Sequence, residues 1–222
     1  MNPVSWLISQ CRRPKGWTGL LLARGMNRSH ASMTDWALSR LSVRDSKSLL
    51  DIGCGGGGAL LKLSGFAPQA ELHGIDYSSE SLSVATRTNR RLVDRGRMVL
   101  REANVSDLPY DNGRFDLAVA INSHYFWPDL KGDLREIMRV LEPGGTLALA
   151  GGEYFGGRHD ARIRKLAANG RMNCQTLPEL RDTMCEAGYT GVVIHEEWNK
   201  GWFCVVGSKS SGGAEESAPP AR

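Results

Sequence analysis

Two carboxylates and a run of glycines carry the most chemistry in this chain. Leu49-Leu50-Asp51-Ile52-Gly53-Cys54-Gly55-Gly56-Gly57-Gly58 reads as an apolar strand with an acid near its tip, running straight into a turn made almost wholly of glycine. Glycines at positions 53, 55 and 57 let the backbone adopt φ > 0 and let a ligand lie against the main chain. Asp51 sets a negative charge where a bound cation would sit, which favours a nucleoside with a positive group over one with a pyrophosphate. The same residues match the dinucleotide fingerprint Gly53-x-Gly55-x-x-Gly58 literally. About twenty residues on, Ala70-Glu71-Leu72-His73-Gly74-Ile75-Asp76 reads as a second strand ending on an acid, where a partner for ribose hydroxyls belongs. Both nucleotide readings expect Asp76, so it supports a nucleoside without choosing between them.

The elements that must position these groups alternate along the chain. The pattern gives strands at 47–52, 70–75, 97–102, 115–121 and 145–150, with helices at 57–64, 79–94 and 130–141, the alternation of a parallel sheet joined by crossovers. An earlier helix from Ser32 carries Met33, Trp36, Ala37 and Leu41 on one stripe. Leu130, Leu134, Ile137, Met138 and Leu141 share a face, and Glu142-Pro143-Gly144-Gly145 stops that helix. Residues 152–175 lack strong periodicity and read as an irregular insertion. Thr176-Leu177-Pro178-Glu179 then opens a helix with a capping box, and strands 191–198 and 202–207 follow as a hairpin.

In this order the pieces LLDIGCGGG, HGIDYS, NVSDLPYDNGRFD and REIMRVLEPGGTLAL resemble the class I S-adenosylmethionine-dependent methyltransferases across roughly residues 45–151. With SHYFWPDL after the fourth strand, the chain looks like the small-molecule branch that includes quinone-ring methylases. The resemblance implies an α/β, Rossmann-like, doubly wound sheet of seven strands in the order 3-2-1-4-5-7-6, with an antiparallel last strand. It implies S-adenosyl-L-methionine as cofactor, held at Asp51, Gly53, Cys54, Gly55, Gly57, Asp76, Tyr77, Asn104, Val105 and Asn122. Asp76 takes the ribose diol, Tyr77 lies against adenine, and the methionine ammonium is drawn to Asp51 and the carbonyls near Gly53 and Asn122. Where the family commonly has an aspartate for the adenine amino group, this chain has Asn104, whose amide oxygen accepts the same bond without charge; Asp107 stays open as a substitute. Residues 1–44 are expected as an N-terminal helical lid, 45–207 as the methyltransferase domain and 208–222 as a disordered tail.

Methyl transfer from a sulfonium is an in-line displacement that needs alignment and, for a hydroxyl or acidic carbon, a proton acceptor. His124, three residues past the fourth strand, is the first candidate base; a loop cap or water ligand is the alternative. His30 is the second. Tyr125, Phe126, Trp127, Tyr154 and Phe155 fall in the segments expected to wall a small, aromatic or conjugated acceptor. His73 reads as a core residue, and His159 and His195 have no motif context.

A nicotinamide oxidoreductase lacks its Tyr-x-x-x-Lys pair here, and a base methylase lacks Asn-Pro-Pro-Tyr after the fourth strand. A nucleoside-binding module without turnover remains an alternative. At 222 residues and net charge +4 the chain is one domain with a small elaboration. Residues 1–50 hold eight Lys or Arg against two Asp, an excess suited to an anionic substrate, a membrane surface or RNA, or to a solvated face. Five cysteines without C-x-x-C point to reduced thiols. No stretch nears the ~20 apolar residues of a membrane span, and no His/Asp/Glu cluster has metal-ligand spacing. The expectation is a cytoplasmic enzyme with a small-molecule partner; a homodimer is compatible with it.

Overall fold

A computed structural model of the chain describes residues 30–170 and 172–212. Helix α1 (Ala31–Leu38) precedes β1 (Ser48–Ile52), α2 (Gly58–Phe66), β2 (Glu71–Asp76), α3 (Ser79–Thr88), α4 (Arg90–Asp94), β3 (Met98–Glu102) and β4 (Phe115–Ile121). After a 3₁₀ turn at His124–Phe126 come α5 (Leu130–Val140), β5 (Leu141–Gly151), α6 (Asp160–Gly170), α7 (Leu177–Ala187), β6 (Thr190–Glu197) and β7 (Trp202–Ser208). The seven strands form one sheet in the order β3-β2-β1-β4-β5-β7-β6. β1 pairs in parallel with β2 and β4, while β7 runs antiparallel to both β5 and β6. The expected architecture, with its reversed last strand, is the one observed.

Every residue of β1 is buried, as a strand covered on both faces requires. Leu50, Ile52, Phe115 and Phe203 pack with α5 and α7 on one side, and Leu49, Leu60, Leu63 and Leu72 with α1 and α2 on the other. The α7 capping box forms as expected: Thr176 Oγ1 accepts from Glu179 N, and Glu179 Oε2 accepts from Thr176 N.

Three segments depart from expectation. The helix expected over 79–94 is two, because the Asn89 side chain turns back to donate to Gly57 O (2.9 Å) and Ala85 O (3.1 Å) and the chain bends there. Strand β5 begins at Leu141, which pairs with Phe115; Glu142–Gly145 bulge out before Thr146 pairs with Leu117. The insertion 152–175 is not wholly irregular, since α6 lies within it and buries Ile163 beside Tyr125 and Cys174 in a small separate cluster. The expectations for 1–29 and for the tail from 213 onward lie outside the described residues. Among the described residues no helix is long and apolar enough to cross a membrane.

Candidate active site

The carboxyl ends of the parallel strands open into a cavity of about 340 Å³. Its walls come from β1 and the glycine turn (Asp51–Gly56), from Asp76 and Tyr77 after β2, from Ala103–Val105 after β3, and from Ile121–Ser123 after β4. This is where an open α/β sheet collects ligands. The turn is tied to β2: Gly53 N and Cys54 N both donate to Ile75 O at 2.9 Å, and Gly55 N donates to Asp76 Oδ2 at 2.9 Å. Asp76 Oδ1 accepts from Ser78 N at 2.9 Å. Backbone amides, those of Gly55 and Ser78 among them, thus fix the carboxylate at the cavity wall.

Gly55 and Gly57 differ in what they protect. Both have positive φ, +52° and +75°. A Cβ on Gly55 would meet nothing within 4 Å, so that backbone faces open space, whereas a Cβ on Gly57 would sit 2.4 Å from Asn89 Nδ2. The first glycine keeps the cavity open and the second lets α2 approach α3.

Two residues of the cavity wall each carry a buried acceptor with no hydrogen-bond partner, Asp51 Oδ2 and Asn122 Oδ1, the latter beside Gly151. Asn122 holds the left-handed conformation (φ 54°), the only described non-glycine residue with positive φ. Burial, reinforced by the charge of Asp76, lifts the Asp51 carboxyl from 3.8 to about 7. Burial also raises Asp76, against the backbone amides that hold it down. Two unpaired buried acceptors, one of them on a carboxyl, are complementary to a cationic hydrogen-bond donor.

Asn104 and Val105 line the same cavity, with Asn104 Oδ1 accepting from Ser106 N at 3.2 Å. All ten residues expected to hold the cofactor are cavity residues except Gly57, whose place is structural.

The base candidates separate. His124 is not on the cavity wall: the 3₁₀ turn rolls its ring inward, 4% exposed, edge-on to Tyr125, Trp127 and Phe203. Burial pushes its pKa down to about 3, and the structure places the ring in the core rather than facing the cavity, where a base was expected. His30 does line the cavity, at the start of α1, with its carbonyl taking Thr34 N and Oγ1 at 2.9 Å each. Burial lowers its pKa and the charge of Glu153 opposes that shift. Of the expected aromatic wall, Phe126 and Trp127 reach the cavity. Tyr125 instead joins the α6 cluster, Phe155 packs against it, and Tyr154 lies in the core, donating to Glu196 Oε1 at 2.6 Å. His73 is buried as expected, its Nε2 2.9 Å from Glu71.

Thr34, Lys62 and Ser81 are wall residues that sequence reasoning missed, while Ser123 and Pro128 belong to the loop 123–128 expected to close over the sulfonium. Lys62 follows Gly58 by one helical turn, a spacing that carried the only available signal for it; Thr34 is brought in by the packing of α1 on α2. Among the described residues no group of three or more His, Cys, Asp or Glu could hold a metal ion.

A family model described as a methyltransferase domain matches residues 50–149. The chain is 32% identical over 163 residues to the 27-O-demethylrifamycin SV methyltransferase of Amycolatopsis mediterranei, covering 70% of this chain and 58% of that protein. Among solved structures, an O-methyltransferase family protein from Burkholderia thailandensis superposes with TM-score 0.74 at 18% identity, covering 86% of this chain and 59% of that one. Human N-acetylserotonin methyltransferase in complex with SAM superposes at TM-score 0.70 and 14% identity, covering 86% and 55%. At such identities these structures speak for the fold alone. The chain spans about half the length of the curated relatives it matches, 40–58% for the first three. With the glycine turn, the two strand-end acids and the reversed seventh strand in one domain, residues 50–149 of this chain match a methyltransferase domain, and the sheet has the strand order expected from the resemblance to the S-adenosylmethionine-dependent methyltransferases.

Proposed function

We propose that this chain binds S-adenosylmethionine and methylates a small, conjugated molecule, at an oxygen as in the named relative. The observation that carries the reading is the pair of orphaned buried acceptors, Asp51 Oδ2 and Asn122 Oδ1. An amino-acid ammonium brings the donors both atoms lack, and each buried polar group left unpaired costs about 1–3 kcal/mol. A pyrophosphate brings only acceptors and negative charge, so it leaves both atoms unpaired and faces Asp51.

When bound, the cofactor supplies a methyl group on a positively charged sulfur. The chain's own residues then bind, orient and exclude water. Asp76 receives the ribose hydroxyls on its remaining lone pairs, and Tyr77 covers the adenine. Asn104 and the backbone at Val105 meet the adenine edge, while Gly53, Cys54 and Gly55 carry the amino-acid tail. Phe126 and Trp127 wall the acceptor side. His30 and Thr34, at the start of α1, close one side of the cavity. Alignment of this kind is worth up to roughly 7–11 kcal/mol.

His30 takes the proton from the acceptor. Its place on the cavity wall brings it within reach of an acceptor, and burial favours the neutral ring that can take a proton. His30→Ala is expected to lower turnover about 10²-fold with cofactor affinity unchanged. His124→Phe, which keeps an aromatic ring in the core, is expected to leave turnover near normal. Steady-state kinetics against an acceptor found by library screening checks both, and a large loss in the His124 variant alone would return the proton to that residue.

The test of binding itself is isothermal titration with S-adenosylhomocysteine and with NAD. The adenosyl ligand is expected to bind more tightly, and Asp76→Ala to weaken it by about 1–3 kcal/mol. Tighter binding of NAD would overturn the reading.

A further inference from the structure

Asn104 and Val105 sit on a connection, residues 103–114, that contains no helix of its own. Within it the backbone closes only short turns, such as Asp107 N to Asn104 O at 3.2 Å and Tyr110 N to Leu108 O at 2.7 Å. What holds the segment is the polar side of α5. Asp133, Glu136 and Arg139 recur every three residues along that helix, away from Leu134 and Ile137, which fill the core.

Each of the three grips the loop, with Glu136 and Arg139 sharing Leu108. Asp133, only 1% exposed, accepts from Ser106 Oγ at 2.6 Å through Oδ1 and from Asp129 N at 3.3 Å through Oδ2. Glu136 Oε1 accepts from Leu108 N at 2.8 Å. Arg139 donates to Leu108 O at 3.0 Å, to Tyr110 O at 2.7 Å and to Asn112 Oδ1 at 2.9 Å, while its fork is braced on Glu136 at 2.7 and 2.9 Å. A solvated helix face would leave these side chains free; here every one is spent on the same loop. Glu136 and Arg139 hold it from Leu108 onward. Ser106 is the anchor beside the cavity, adjacent to Val105 and bonded through its amide to Asn104 Oδ1.

We infer that Asp133, through Ser106, and the Glu136–Arg139 pair, through Leu108 and Tyr110, are positioning residues that set the adenine wall of the cavity. This rests on the assignment of Asn104 and Val105 to the adenine edge. They touch no ligand themselves. A loop without internal structure samples other arrangements, and apparent affinity falls by the fraction of time it spends in the competent one. The charged hydrogen bonds from α5 raise that fraction before any ligand arrives. Because α5 starts two residues after Pro128, which lines the acceptor side, one rigid helix carries one wall of the cavity at its start and fixes another along its length.

The test uses Ser106→Ala and two probes titrated calorimetrically at 25 °C: S-adenosylhomocysteine, and S-inosylhomocysteine, in which a carbonyl replaces the adenine amino group. Wild-type protein prefers the adenosyl probe; if it binds neither, the reading of the cavity fails before the positioning of its wall is reached. Ser106→Ala is expected to raise the Kd of the adenosyl probe roughly tenfold and to leave that of the inosyl probe within about twofold, so that discrimination collapses. Ser106→Thr, which keeps the hydroxyl, restores it. Arg139→Lys, which keeps the charge but loses the fork, reproduces the loss and serves if the alanine variant does not fold. An adenosyl Kd within about twofold of wild type in both variants, or an equal loss for both probes, overturns the inference.

Discussion

Asp51→Asn is expected to make the ligand-free protein more stable at pH 8 while weakening S-adenosylhomocysteine binding about 10²-fold. The two effects have one cause. Folding lifts the Asp51 carboxyl from 3.8 to about 7, chiefly by burial. A carboxyl whose folded pKa lies above its unfolded one contributes stability fully at low pH and loses it as pH rises through the folded value. Between about pH 4 and 7 that loss is on the order of 4 kcal/mol in the absence of a cation. An amide has no such cost, although its buried NH₂ returns about 1–3 kcal/mol if it finds no partner. The net gain is therefore about 1–3 kcal/mol, read as a rise of several degrees in Tm for a chain of this size.

Binding runs the other way. A ligand ammonium favours the carboxylate, so wild-type affinity is expected to weaken as pH falls below about 7, by up to tenfold per pH unit. In Asp51→Asn that slope disappears along with the charge-assisted bond. Calorimetric titrations from pH 5.5 to 8.5, with thermal melts of both proteins, check the pair of effects. A variant that melts lower at pH 8 and retains the wild-type pH slope would show that Asp51 is not the cation's partner.

The second large effect separates two neighbouring glycines. Gly55→Ala is expected to fold with a loss of about 1–2 kcal/mol, the cost of a left-handed alanine, because its Cβ meets no protein atom within 4 Å. That methyl group instead enters the cavity, and S-adenosylhomocysteine affinity is expected to fall about 10²-fold. Gly57→Ala pays the same backbone cost and adds a Cβ 2.4 Å from Asn89 Nδ2 and 3.0 Å from Ala85. Asn89 cannot yield without giving up Gly57 O and Ala85 O, so this variant is expected to lose about 3 kcal/mol or more. Chemical denaturation and titration of the two proteins side by side distinguish a binding glycine from a packing glycine.

Much of the fold and of the cofactor wall was legible because it is local. An apolar run ending on an acid, a glycine turn and a second acid one crossover later are short-range patterns, and they become β1, the turn and Asp76. Strand order followed from the family resemblance, with the hairpin after Gly188 marking the reversed strand. What was not legible depends on where side chains turn. His124 sits in a sequence that reads as an exposed loop, and only the 3₁₀ geometry and the Phe203 ring across the sheet decide that it points inward. Asn89 looks like an ordinary helix residue until Gly57 O comes within reach. Thr34 and Lys62 reach the cavity through the packing of α1 on α2, which no periodicity within either helix records. The polar stripe of α5 reads as solvated, yet Asp133 is buried because a loop more than twenty residues upstream folds over it.

We propose that the ammonium of an adenosyl amino acid pairs Asp51 Oδ2 and Asn122 Oδ1. A crystal structure of the protein with S-adenosylhomocysteine tests it most directly. The ligand's amino nitrogen is expected within hydrogen-bond distance, about 2.7–3.2 Å, of both Asp51 Oδ2 and Asn122 Oδ1, with the ribose hydroxyls on Asp76. A bound ligand whose amino group lies away from both oxygens, leaving them unpaired in the complex, would contradict it.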